Sequence, residues 1–293
     1  MAYRRSLTAS MVLILISVAL CTPWPTTGAG RTVFVMFTFD TEDFLTPETD
    51  SVVGALAEIL GDHGVRGEFY MVAEKARALA QRFPESVRAI SGAHTLGYHQ
   101  NGHSVHPTIA EYSDGKPWRM AVETARHYET RRINIYTGEL NMDETGGIEL
   151  VNRIFGKRPI SFRPPGYVWS APSLYALREL GIKASSVSSS FWEITGFPLN
   201  WYLGLVQVPV ADLYLDDYLV QGDLSHLKLQ FERLYEDRRE NGGLIVLGNH
   251  PCRLVTRAFW DSNYYFGQNP GNASAIELPP LYEREITDQA LQC

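Results

Sequence analysis

Short apolar runs alternate with longer stretches of helical spacing along this chain. TVFVMFTF (32–39) is apolar and rich in strand-forming residues, so it reads as a buried strand. TDSVVGALAEILGDHG (49–64) has apolar residues at helical spacing, a cap at Thr49 or Asp50, and Gly64 as a stop. GEFYMV (67–72) predicts a second strand, residues 73–91 a helix broken near Pro84, and HTLGYH (94–99) a third strand. PWRMAVETARHYETRRINIY (117–136) reads as one long amphipathic helix. ISFRPP (160–165) is a strand stopped by prolines, and SAPSLYALRELG (170–181) is a helix with Ser and Pro at its start and Gly181 at its end. IKASSV, GLVQVPV, a helix over about 223–240 and GGLIVLGNH complete the pattern.

Strands that alternate with helices predict a mostly parallel sheet, open or closed into a barrel. In such folds functional groups collect where strands end. Four ends carry chemistry here. DTED (40–43) follows VMFTF, His99 follows TLGY, Arg163 follows ISF and His250 follows LIVLGN. Loops are polar in general, which accounts for one or two of these but less well for a set made of carboxylates, histidines and an arginine.

The N-terminus departs from this pattern. Arg4 and Arg5 precede MVLILISVAL, an apolar run short for a bilayer, and then CTPWPTTGAG, small and polar. Residues 1–30 therefore read as an export signal or an uncleaved N-terminal anchor, with one catalytic domain expected over 31–293. Export places the protein in the periplasm, outside the cell or at the envelope, and any membrane contact would run through that segment. The chain has 293 residues and a net charge of −7, and removing residues 1–30 leaves 24 basic against 33 acidic residues. Such an acidic body has no basic stripe to neutralise phosphates, which argues against nucleic acid. Cys252 and Cys293 would be the only cysteines left and form no disulfide scaffold, although they are free to pair.

Three of the eight histidines fall within TLGYHQNGHSVHPT (95–108). If that loop turns helical, His99 and His103 lie on one face and their ring nitrogens converge. A catalytic zinc site takes three protein ligands and leaves a position open, so two imidazoles and one carboxylate would suffice. Along an extended FTFDTEDF, Asp40 and Glu42 point one way and Thr41 the other. Two carboxylates on one face repel, which a divalent cation relieves, leaving one of them free as a base. The same residues would also serve as a helix-start turn.

TFDTED, HQNGH, RPPG and LGNH, in this order over roughly residues 32–252, resemble the motifs of the polysaccharide deacetylases, the NodB-homology carbohydrate esterases of family 4 type. RGEFYMV is similar to the family's second strand, and APSLYALRELGIKASSV to the stretch after its arginine motif. The resemblance implies a distorted (β/α) barrel of seven or eight strands and a divalent metal, most often Zn2+, with Co2+ or another divalent ion as substitutes. It implies that Asp40 is the general base, that His99 and His103 are metal ligands, that Arg163 orients the base and that His250 is the general acid. Backbone N–H groups near Gly166 or Tyr167 would hold the oxyanion on the substrate side.

Two departures bear on this. The family's second aspartate usually follows the first directly, and that position is Thr41. Some branches carry Asp-x-Glu instead, which makes Glu42 the expected ligand and Asp43 its rival. The acidic residue usual after the arginine motif is absent from IKASSVSSS, leaving Asp212, Asp216 and Asp217 as substitutes. His106 is either a partner behind the ligands or a turn histidine before Pro107, and RAFWDSNYYFGQNPG (257–271) is either a sugar-stacking wall or a loop packed on the barrel.

The activity implied is hydrolysis of an amide, most simply the N-acetyl group of an extracellular polysaccharide. The rivals are an enzyme for a small cyclic or linear amide on the same fold, with or without a metal, and a carbohydrate-binding protein without activity.

Overall fold

A computed structural model describes residues 32–187 and 200–293; residues 1–30, expected to be an export signal or anchor, and the serines 188–190 lie outside the described residues. The strands are β1 (Val33–Thr41), β2 (Gly67–Met71), β3 (Thr95–Tyr98), β4 (Arg131–Ile133), β5 (Leu140–Thr145), β6 (Ser161–Phe162), β7 (Ala184–Ser185), β8 (Asn200–Tyr202), β9 (Leu205–Gln207), β10 (Leu213–Tyr214) and β11 (Gly243–Asn249). Nine of them form one sheet in the order β10-β11-β1-β2-β3-β6-β7-β9-β8. Every pairing in it is parallel except β8 with β9. Eight parallel strands thus curl into a distorted, incomplete (β/α) barrel, as expected, with β8 added antiparallel at one edge. β4 and β5 make a separate antiparallel pair.

The helices are α1 (Glu48–Asp62), α2 (Ala73–Arg82), α3 (Pro84–Ala93), α4 (Trp118–Tyr128), α5 (Gly147–Phe155), α6 (Ala171–Glu179), α7 (Asp216–Gln221), α8 (Leu224–Arg239) and α9 (Arg284–Gln292). The break at Pro84 is real: Pro84 opens α3 directly after α2. Ser170 caps α6, accepting from the Ser173 N–H. Asp223 caps α8 by accepting from the His226 N–H. The main core lies between sheet and helices, where Phe39, Phe69, Met71 and Leu96 meet Val53, Leu79, Ile90 and Leu174.

Three expectations are corrected. The long helix over 117–136 ends at Tyr128, because Glu129 is buried and the β-prone residues after it pair with β5. α1 is not capped by Thr49 or Asp50: it starts at Glu48, and Asp50 is buried against Lys75 Nζ at 2.5 Å. Cys252 is buried and Cys293 exposed, each a free thiol. Among the described residues no helix is long and apolar enough to cross a membrane.

Candidate metal and acid–base site

The register of the parallel strands gathers the predicted groups at one end of the barrel. Phe39 pairs with Asn249, so Asp40 at the end of β1 lies beside His250 just past β11. Tyr214 pairs with Gly248, which sets Asp216 opposite His250 in the same way. His99 follows β3 and Arg163 follows β6. Asp40, Glu42, His99, His103, Gly166, Tyr167 and His250 all line one cavity of about 340 Å³.

Glu42, His99 and His103 converge within it. Glu42 Oε2 lies 2.9 Å from His103 Nε2 and 3.4 Å from His99 Nε2, and all three side chains are buried. The loop is not helical between the histidines, as the sequence reading supposed. Gln100 and His103 instead adopt left-handed backbone, with φ of 74° and 56°, and this turn brings the second ring back beside the first. Asp43 takes no part, since its Oδ1 accepts from the Leu45 and Thr46 N–H groups, both at 2.9 Å. It serves as the turn before α1, the structural role that the carboxylates of this stretch were also expected to suit.

The outer nitrogens determine what the inner ones offer. His99 Nδ1 donates to the Arg163 carbonyl at 2.6 Å, so its Nε2 presents a lone pair. His103 Nδ1 faces Ser104 Oγ at 2.8 Å. Two imidazole lone pairs and a carboxylate oxygen then point at one another, an arrangement of acceptors that needs a proton or a cation between them. Without a cation, burial and His103 compete over Glu42: burial raises its carboxyl, but the imidazole outweighs it and holds Glu42 well below the usual range. The donor set of two nitrogens and one oxygen suits a divalent metal such as zinc, and this buried group could bind one.

Asp40 is buried and bound to Arg163 Nη1 through Oδ1 at 2.8 Å. Burial opposes its charge, but the guanidinium prevails and keeps the carboxyl below its ordinary value. Arg163 is itself fully buried, donating also to Thr38 Oγ1, Ser186 Oγ and the Val210 carbonyl, with Tyr70 stacked 4.4 Å over it. Asp40 Oδ2 faces His250 Nε2 at 3.7 Å.

The acid missing after the arginine motif is found in Asp216, which accepts from both His250 Nδ1 and the His250 N–H at 3.0 Å. Of its two rivals, Asp212 is taken up by Arg238 and the Val246 N–H, and Asp217 pairs with Arg253. Burial would lower the His250 pKa, yet Asp216, with Glu42 and Asp40 behind it, lifts it to about 9. Tyr214 stacks on the imidazole and Phe259 meets it edge-on. Gly248 leaves room for that ring, since a Cβ there would lie 2.5 Å from Tyr214. Gly166 and Tyr167, which also line the cavity, both have positive φ, and the Tyr167 N–H donates to the Pro164 carbonyl at 3.2 Å.

His106 does not reach the ligands. Its Nδ1 meets Glu111 and its Nε2 the Tyr264 carbonyl, so it braces the aromatic stretch 257–271. Part of that stretch packs down, with Trp260 and Tyr264 buried beside Phe44 and Val105. Phe259, Tyr265 and Phe266 are exposed, and Phe259 and Tyr265 line the cavity. Sequence reasoning picked out the stretch that holds Trp260 and Asp261 but gave neither residue a role, since they carry no motif and reach the site only through the fold.

No family model and no curated protein matches the chain. The chain is similar to solved polysaccharide deacetylases. One is a candidate polysaccharide deacetylase from Mycobacterium smegmatis, 21% identical over 92% of this chain and 86% of that one, with a TM-score of 0.48. Another, from Bordetella bronchiseptica, is a candidate polysaccharide deacetylase involved in O-antigen biosynthesis, at 15% identity, 89% and 91% coverage and a TM-score of 0.43. A 4-α-glucanotransferase from Thermococcus litoralis is similar to the same degree, at 11% identity, 81% and 35% coverage and a TM-score of 0.48. Likeness at this level concerns the course of the chain and assigns no chemistry.

Proposed function

We propose that the protein is an exported, metal-dependent hydrolase of carbon–nitrogen bonds that removes N-acetyl groups from a cell-wall or other extracellular polysaccharide. In this reading residues 31–293 are its catalytic domain and residues 1–30 its export segment or anchor. One observation carries the reading. A three-acceptor set, Glu42 with His99 and His103, shares a cavity wall with two groups each held by an opposite charge, Asp40 on Arg163 and His250 on Asp216.

Glu42, His99 and His103 would hold the metal, zinc by preference, with cobalt or another divalent ion fitting the same donors. Bound there, it would supply Lewis acidity toward the acyl oxygen and an easily deprotonated water. Asp40 is charged at neutral pH, with one oxygen tied to Arg163 and the other open to the cavity, and so serves as the base. His250 carries a proton at neutral pH. Its Nδ1–H stays on Asp216, so the proton it transfers is the one on Nε2, delivered to the departing amine nitrogen. After that transfer the proton that Asp40 removed from water returns to the neutral ring through a water between the two groups, which lie 3.7 Å apart, and this closes the cycle. Gly166 and Tyr167 line the same cavity, and because the Tyr167 N–H is engaged by the Pro164 carbonyl, the Gly166 N–H is the donor of that turn assigned to the developing oxyanion.

The test joins metal content to product release. Purified protein should hold about one equivalent of divalent metal and release acetate from an N-acetylated polysaccharide, and His99→Ala/His103→Ala should lose both. Protein that takes up no zinc or cobalt would leave the metal-free amide hydrolase, while metal binding without acetate release from any N-acetylated glycan or small amide would leave the binding protein.

A further inference from the structure

The stretch after β11 touches the metal set at two points through two adjacent residues. Trp260 and Asp261 open the 3₁₀ segment Trp260–Gly267. Trp260 is fully buried, and its Nε1–H donates to Glu42 Oε1 at 3.1 Å, leaving Oε2 to the imidazoles. Asp261 reaches toward His103 through a bridge. Ser104 Oγ donates to Asp261 Oδ2 at 2.7 Å, and the same oxygen lies 2.8 Å from His103 Nδ1. The direct distance from His103 Nδ1 to Asp261 Oδ2 is 3.9 Å, too long for a hydrogen bond, so the hydroxyl is the link.

Counting protons decides the tautomer. A serine hydroxyl has one hydrogen, and here it goes to the carboxylate. Its oxygen is then an acceptor toward Nδ1, which must carry the ring hydrogen. Nε2 is left bare, facing Glu42. His99 obtains the same result from the Arg163 backbone carbonyl, which no side-chain substitution removes. His103 sits on a left-handed turn and depends on two side chains for it. The carboxylate end of the bridge is fixed independently, because the Tyr264 carbonyl is held by His106, Asn269 bonds the His106 backbone, and Tyr264 Oη donates to the Ile135 carbonyl.

We infer that Asp261, acting through Ser104, is a positioning residue for His103 that selects Nε2 as the coordinating nitrogen and fixes the plane of the ring. This rests on the reading of His103 as a metal ligand. Partners behind metal-bound histidines typically change metal affinity by about 10–100-fold.

The experiment is calorimetric titration of Zn2+ into the metal-free full chain, with a competing chelator, for wild type, Ser104→Ala, Asp261→Ala and the double variant. Each single change should weaken binding about 10–100-fold, and the double should bind no more weakly than the worse single, because both cut one relay. Ser104→Thr keeps the hydroxyl and should restore affinity to within a few-fold, while denaturant midpoints of the metal-free variants stay at the wild-type value. Unchanged affinity in the single variants, or losses that add and follow the unfolding midpoints without rescue by threonine, would overturn the inference. His103→Ala separates the two levels. If it abolishes binding while Asp261→Ala leaves binding intact, only the inference falls. Failure of the wild type to bind zinc overturns both.

Discussion

Asp216 grips His250 twice, with Oδ1 on the backbone N–H and Oδ2 on Nδ1–H, both at 3.0 Å. The grip fixes the ring and contributes most of the upward pull on its pKa, which reaches about 9 against the effect of burial. Asp216→Asn removes the charge and keeps the shape. The imidazole should then lose its proton at lower pH, so the alkaline limb of the activity profile moves toward acid. At neutral pH kcat should fall at least tenfold and by no more than the 10²–10⁴-fold that a general acid contributes. A pH–rate profile of the variant is the check, and a limb that stays where it was would remove Asp216 from the proton path.

Adjacent carboxylates divide the work at the end of β1. Glu42 Oε2 meets both imidazoles, whereas Asp43 Oδ1 accepts two backbone N–H groups of the turn before α1. Glu42→Gln should therefore abolish stoichiometric metal binding with little change in the unfolding midpoint of the metal-free protein. Asp43→Ala should retain the metal and lose about 1–2 kcal/mol of stability, the usual cost of removing such a cap. Metal analysis beside chemical denaturation distinguishes them, and metal loss in Asp43→Ala alone would reverse the assignment.

What was legible in the sequence follows from the range of the physics involved. Asp40 and Glu42 share a face because side chains alternate along an extended chain, a rule that needs nothing beyond three residues. Four polar strand ends in one place follow from parallel strands. The convergence of His99 and His103 was anticipated for the wrong reason, since a helix was expected and a left-handed turn provides it. Glycine is the usual sign of such a turn, and here Gln100 and His103 adopt it instead. Asp216 was one of three candidates because its place opposite His250 depends on the pairing of Tyr214 with Gly248, a contact between distant strands. The stretch 257–271 was noticed for its aromatic residues, but the roles of Trp260 and Asp261 were hidden for the same reason at greater distance, as they lie more than 150 residues from the groups they hold.

Arg163 is the largest fully buried charged side chain among the described residues, and it satisfies four acceptors at once. Arg163→Ala would leave Asp40 buried and unpaired, a change that typically costs about 3–5 kcal/mol. Arg163→Lys keeps the charge but has no planar fork, so activity should still fall by about tenfold or more while stability recovers in part. Asp40→Asn placed on Arg163→Ala should regain stability, because the uncompensated carboxylate is gone. Urea midpoints of the three variants test this, and an Arg163→Ala protein as stable as wild type would show that the pair is not what holds this end of the barrel.

Glu129 carries a pH dependence unrelated to the site. It is buried at the end of α4, takes hydrogen bonds from Tyr98 Oη at 2.5 Å and Tyr112 Oη at 2.8 Å, and has no ion pair among the described residues. Burial dominates and pushes its carboxyl from 4.5 to about 7, with the two phenols pulling the other way. The folded state therefore binds a proton that the unfolded chain releases near pH 4.5. Stability from this group is complete below about pH 4.5, falls as pH rises toward 7, and is flat above it. Between pH 5 and 8 the loss amounts to roughly 2–3 kcal/mol. Glu129→Gln is neutral throughout, still accepts a tyrosine hydroxyl and has no such slope. The difference in unfolding free energy between variant and wild type should thus grow in the variant's favour by about that amount from pH 5 to pH 8. Parallel curves for the two proteins across this range would mean that Glu129 is already ionised in the fold.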